Sequence, residues 1–283
     1  MDGYNNMVKK FNFIYKYGEI ELMKKIVALI ILFMIIGMTV SVYGFEKKDI
    51  KLKSDNDILV SKLKFNINDK GNMQGLTYNN NIFYVGFDRN NDNGEIIAYD
   101  NNGNEIKRSG LLKIGHAAGL AYRTKNNSIY VANGGGKNKT HIYEVKMSGD
   151  KTYISKDLDY SKLGNSGLVA IDNDDDKLII HTSINDNENH IISICDFNGK
   201  VEKQISIKNQ GVPQGLEYYD GYIILYTNNK VTFIDSKSDE IKKTYKIKEK
   251  GESEGITIFK EGNKIGLTYG YNDNNRLYIT DIE

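Results

Sequence analysis

Five glycines, Gly75, Gly119, Gly167, Gly215 and Gly255, each follow a short polar stretch, and these stretches hold most of the chain's candidate binding chemistry. Asn72 and Gln74 precede the first, His116 the second, Asn165 and Ser166 the third, Gln214 the fourth, and Glu252 and Glu254 the fifth. Amide side chains pair a donor with an acceptor, which suits a ligand rich in hydroxyl groups. Tyr269 and Tyr271, in and beside "GYNDNN", could stack on a sugar ring. Glu252 and Glu254 stand two apart and could hold a hard cation.

Other reactive patterns are sparse. The four histidines are His116, His141, His181 and His190. They form no His-Glu-x-x-His zinc motif, and the chain has neither paired cysteines nor a Gly-x-Ser-x-Gly elbow. His116 alone sits among the polar stretches, where a structural histidine is the plainer reading than a catalytic base, so no catalytic residue is assigned. "DRNNDNG" places Asp88, Asn90 and Asp92 at alternate positions like a calcium loop, yet Tyr99 stands where such a loop needs its glutamate. Ca2+ is the one cofactor this pattern admits. "GGGKNK", with Lys137 and Lys139, offers donors to a phosphate, although a flexible loop is the plainer reading. Asp174, Asp175 and Asp176 read as a solvated turn, and Cys195, in "HIISICDF", as a core residue.

The elements that must position these side chains follow from the glycines' spacing. Successive markers lie 44, 48, 48 and 40 residues apart. The match runs backward in one register through "INDKGNMQG", "LLKIGHAAG", "IKNQGVPQG" and "IKEKGESEG", while the third copy, "LGNSG", is one residue shorter between its glycines. Each marker opens an apolar run and is followed by others rich in Ile and Tyr, such as "NIFYVGF", "DKLIIHT" and "GYIILYT", bounded by Asn, Asp or Gly. Four strands per repeat of this length describe the blade of a β-propeller. The expected fold is therefore all-β, a five-bladed propeller spanning 57–283. The last repeat has room for three strands, and the segment 57–67, "DILVSKLKFNI", resembles the missing fourth. It is expected to close the ring by pairing with the last blade's third strand. Strands in a blade alternate in direction. The loops leading into first strands and those joining second to third strands therefore share one face and ring the channel mouth.

Ahead of the repeats, Met23-Lys24-Lys25 and an apolar run to Val40 read as a signal peptide over 23–44, or as a retained N-terminal anchor. Residues 1–22 read as a mis-assigned start or short tail, and 45–56 as a linker. The protein is thus expected outside the cell, secreted or held at its surface, touching membrane only through an uncleaved N-terminal segment. Beyond residue 44 the chain holds 33 basic and 34 acidic residues, a balance that argues against a nucleic-acid partner.

"MQGLTYNNNIFYVGF", "GHAAGLAYRTKNNSIYVAN", "PQGLEYYDGYIILY" and "ESEGI" resemble the propeller family that joins teichoic-acid biosynthesis protein C-like proteins with phage receptor-binding proteins; helveticin-like bacteriocins are similar. The resemblance runs from Asp57 to Glu283. It implies an extracellular protein that binds a cell-wall glycan or teichoic acid without catalysis, through positions matching Gln74, His116, Gln214 and Glu254. Two alternatives are a metal-assisted extracellular hydrolase, a lactonase or phosphoesterase with its site at the axis, and a bacteriocin-like killing protein.

Overall fold

A computed structural model describes residues 22–32, 50–183, 188–249, 251–261, 264–271 and 274–282, the side chains of 264–268 and 271 excepted. The chain divides into two units, Met1–Asp49 and Ile50–Glu283. In the first, residues 22–32 are helical. The expected signal segment beyond residue 32, the tail and the linker up to residue 49 lie outside the described residues. Among the described residues no helix is long and apolar enough to cross a membrane.

The second unit is a five-bladed β-propeller. Blades one, two and three are four-stranded antiparallel sheets taken in chain order, with first strands Asn72–Asn79, Gly119–Arg123 and Asn165–Asp172. Blade four starts with Pro213–Tyr219, and blade five with Ser253–Glu261. The five first strands contact one another around the ring and so face the axis. Outer strands carry the alternation of a half-solvated edge: in Val201–Lys208 only Ile205 and Ile207 are buried.

Lys62–Asn66 closes the ring by pairing antiparallel with Arg276–Asp281, the last blade's third strand, as expected. Closure joins the first and last blades and leaves the outer strands as the blades' open edges. Two details differ from the sequence reading. The expected 57–67 strand is split, because Ile58–Leu59 pairs instead with blade four, Ile58 opposite Lys246. The expected 45–56 linker is not free from residue 50 onward: Leu52 is buried and bridges Ile282. Asn56 and Asp57 form the left-handed turn of a short hairpin that pairs Ser54–Asp55 with Ile58–Leu59, and the strand is interrupted at Val60 and Ser61, so its two halves serve neighbouring blades.

A hydrophobic cluster fills each seam between blades. Ile96 meets Leu120 and Val131 between blades one and two; Tyr130 meets Val169 and Leu178 between two and three. Ile179 meets Leu216 and Leu225 between three and four, and Tyr226 meets Ile256 and Tyr269 between four and five. The closing strand adds Phe65 to the seam joining five to one, edge-on to Phe83 at 5.5 Å. Each such side chain contributes about 1.5–3 kcal/mol on burial. Cys195 lies in the second of these seams, and burial lifts its thiol to about 11, so it packs as an inert apolar group.

The marker glycines permit the blades to converge. A methyl group at Gly119 would stand 2.9 Å from the Val169 nitrogen, and one at Gly255 would stand 2.8 Å from the Leu76 nitrogen. Gly255 also has φ +65°. A side chain here would push the neighbouring first strand off the axis. The shortened third copy departs from this pattern, since Gly167 faces the Thr140 side chain of blade two instead.

Asp176, in the expected solvated turn, is tied down. Its carboxylate accepts two hydrogen bonds from Arg123 at 2.8 Å, and the guanidinium sits 3.5 Å over the Phe197 ring. Arg123 and Lys125 hold that carboxyl down at about 2.

Candidate functional site

At the leading ends of the first strands the blades leave a cavity of about 650 Å³. Gln74 of blade one, His116 from the loop before blade two, Ser166 of blade three and Gln214 of blade four line it. The loops joining second to third strands add Gly135 and Gly136 from blade two, and Ser183 and Asn189 from blade three.

Each polar group is held by a neighbour. His116 Nδ1 lies 2.9 Å from the Asp88 carboxylate, which fixes the ring. The other Asp88 oxygen accepts the Asn90 N–H, so the expected calcium loop spends its first carboxylate on a turn and on histidine. Gln214 Nε2 donates to Asn228 Oδ1 at 3.2 Å. The backbone is bent to form the mouth: Ala117 and Ser166 have φ of 51° and 55°. Left-handed conformations at such residues cost on the order of 1–3 kcal/mol and concentrate at functional sites.

The remaining expected site residues are distributed differently. Glu254 is buried below the wall and accepts a hydrogen bond from Gln74 Nε2 at 3.3 Å. Burial first, and then Glu252, raise its carboxyl to about 9, so it is protonated at neutral pH. Glu252 and Asn72 are exposed and do not line the cavity. Asn165 is half-buried outside the cavity wall, its backbone bridged to Lys139. The side chain of Tyr271 lies outside the described residues, while Tyr269 is buried in the seam of blades four and five. Among the described residues no three His, Cys, Asp or Glu side chains gather closely enough to hold a metal ion. Lys139 lines a separate cavity of about 370 Å³ with Lys113 and His141, and Lys137 does not take part.

Sequence reasoning missed the blade-three wall. His190 and Asn209 line the cavity, and His181 lies behind His190, their ring centroids 5.0 Å apart. His190 Nε2 accepts the Gln210 N–H at 2.8 Å, and its Nδ1 lies 2.9 Å from His181 Nε2. A ring that accepts at Nε2 must carry its proton on Nδ1, so His190 donates to His181. His181 then carries its proton on Nδ1, which is buried without a partner. Burial and its neighbour lower His181 to about 3, and burial lowers His190. The sequence signal was the hairpin "HTSINDNENH", whose register opposes Thr182 to Ile191 and so sets His190 beside His181.

No protein-family model and no curated protein matches the chain. Among solved structures it is similar to an exo-β-1,3-galactanase from Phanerochaete chrysosporium, with a TM-score of 0.53 and 12% identity, covering 79% of this chain and 65% of that one. A nidogen/laminin complex matches at TM-score 0.49 and 11% identity over 74% of this chain and 83% of that one. A putative oxidoreductase (glucose dehydrogenase) from Thermus thermophilus matches at 0.49 and 7%, over 78% and 99%. The first of these likenesses supports the propeller fold alone.

Proposed function

We propose that the propeller is a non-enzymatic binding module for a hydroxyl-rich cell-envelope polymer, a glycan or a polyol phosphate of the teichoic-acid kind. In this reading the N-terminal apolar segment exports the protein or anchors it at the cell surface. The observation that carries the reading is the convergence of Gln74, His116, Ser166 and Gln214, from four consecutive blades, on one open cavity. A cavity of that size is within the range of small-ligand sites, and fixed amides and an oriented imidazole suit recognition of hydroxyls. The family resemblance points the same way.

The hydrolase alternative is less well supported by the side chains. Of its two proposed carboxylates, Glu254 is protonated and buried, and Glu252 is exposed away from the cavity. The test is retention of the purified protein on Gram-positive cell walls, intact or stripped of teichoic acid. Retention that is lost on stripping or on replacing His116 and Gln214 with Ala supports the mouth as the site. Retention indifferent to both changes removes it.

A further inference from the structure

The mouth cavity is not lined by amides, hydroxyls and imidazoles alone. Val212, Pro213, Ala118 and Leu168 line it too. Val212 is 57% exposed, a large aliphatic group left at the cavity instead of in a seam. Its loop is held at several points. The Gln210 N–H donates to His190 Nε2 at 2.8 Å and the Gly211 N–H to Asn209 Oδ1 at 2.7 Å. The Val212 carbonyl accepts the Asn228 N–H at 3.1 Å, and the Gln210 carbonyl accepts the Thr227 hydroxyl at 3.1 Å. Pro213, the chain's single proline, biases Val212 towards extended backbone. An aliphatic side chain fixed there against water gains by burial under an apolar group of a ligand.

The cavity also lacks fixed charge. Apart from His116 and His190, no side chain that lines it among the described residues is ionisable. Any positive charge on His116 is met by the Asp88 carboxylate at 2.9 Å. His190 spends Nε2 on a backbone N–H, and Lys113 and Lys139 line a separate cavity. A phosphodiester seated in the mouth would leave water for a wall with no unmatched cation, which is costly. An uncharged sugar meets no such cost. After bonding Asn228, Gln214 keeps its carbonyl oxygen and one amide hydrogen, and a neutral His116 with its proton towards Asp88 offers Nε2 as an acceptor.

Resting on the reading of the mouth as a polymer site, we propose that it selects an uncharged sugar with a methyl-ended substituent, the acetamido group of an N-acetylhexosamine or the methyl of a deoxyhexose, seated against Val212 and Pro213. Val212 is then the specificity-determining residue. Of the two ligand classes, glycan and polyol phosphate, the glycan is the one this wall fits.

The experiment is calorimetric titration of the full chain with tri-N-acetylchitotriose, a rhamnose trisaccharide, cellotriose and poly(glycerol phosphate), in low and high NaCl. Cellotriose has the chitotriose backbone with hydroxyls in place of the acetamido groups. At least one methyl-bearing oligosaccharide is expected to bind about tenfold tighter than cellotriose, with little change between the two salts. Val212→Ser alters an exposed side chain, and should remove most of that preference while leaving Tm and cellotriose affinity as they were. Methyl-bearing sugars bound no tighter than cellotriose, a preference that survives Val212→Ser, or tightest binding to poly(glycerol phosphate) would overturn the inference and leave the mouth a polymer site. Absence of binding to all four probes overturns it too, and wall retention with the His116 and Gln214 variants then decides the reading of the mouth separately.

Discussion

The Gln74 amide donates to the Glu254 carboxyl at 3.3 Å, across the seam where blade one meets blade five. The two residues are 180 positions apart and meet only because the ring closes. Each is nearly inaccessible, and among the described residues no cation pairs with the carboxyl.

Stability at Glu254 should fall with rising pH. A carboxyl raised from 4.5 to about 9 binds more protons folded than unfolded between those values, so its contribution to stability is lost as pH rises through that interval. The loss by pH 7 is on the order of 3 kcal/mol. Glu254→Gln, which still accepts from Gln74, should match wild type near pH 4.5 and exceed it by several degrees in Tm at pH 8. Parallel Tm curves for the two proteins from pH 5 to 9 would refute this.

The histidine pair should act in the opposite direction. His190 cannot take a second proton without giving up the Gln210 N–H, and both rings have lowered pKa values. Folded-state pKa values below 6.5 mean stability is lost as pH falls beneath that value. His181→Phe should flatten the acid limb of the Tm curve, and nitrogen-15 imidazole spectra at pH 6 should show His190 protonated on Nδ1. A spectrum with the Nε2 tautomer would contradict the assigned bond to Gln210.

Gly119→Ala tests the convergence of the blades. The added methyl meets backbone on the next blade, which cannot rotate away. A cost of about 1–3 kcal/mol is expected, a fall in Tm of several degrees. An unchanged denaturant midpoint would show that the first strands have slack.

Ring closure is tested by a contrast within one strand. Phe65→Ala should cost about 3–5 kcal/mol, because Phe65 packs in the seam against Phe83. Leu63→Ala, two residues away but half exposed, should cost well under 1 kcal/mol. Equal effects would mean that the closing strand is not packed as described.

At the mouth, Asp88 serves His116. Asp88→Asn keeps the turn acceptor for Asn90 yet removes the charge that orients the imidazole. It should weaken wall retention as His116→Ala does, and the double variant should lose little more than either, since the pair acts as a unit. Additive losses would separate the two roles.

Much of the architecture was legible because a propeller writes itself locally. Each blade repeats the same strands within its own 40–48 residues, so marker glycines and Ile/Tyr runs reveal strand number and order. The abundant asparagines also carried more meaning than composition suggested: Asn80, Asn81, Asn127 and Asn229 occupy left-handed turn positions that few other residues accept. The split of 57–67 was harder to see, because which blade each half joins depends on a two-residue interruption at Val60 and Ser61 rather than on any hydrophobic period.

The sequence alone was enough to determine the repeat, the five blades and the ring closed by an N-terminal strand, since these rest on local periodicity and turn chemistry. Only the tertiary structure decided which polar side chains share the mouth. Gln74, His116 and Gln214 face it, Glu254 lies beneath it, and Asn72 and Glu252 stand away from it. It also set the charge of Glu254. The physical reason is that burial and hydrogen-bond partners come from other blades, dozens to nearly two hundred residues distant, and no period in the chain encodes the angle at which those blades meet.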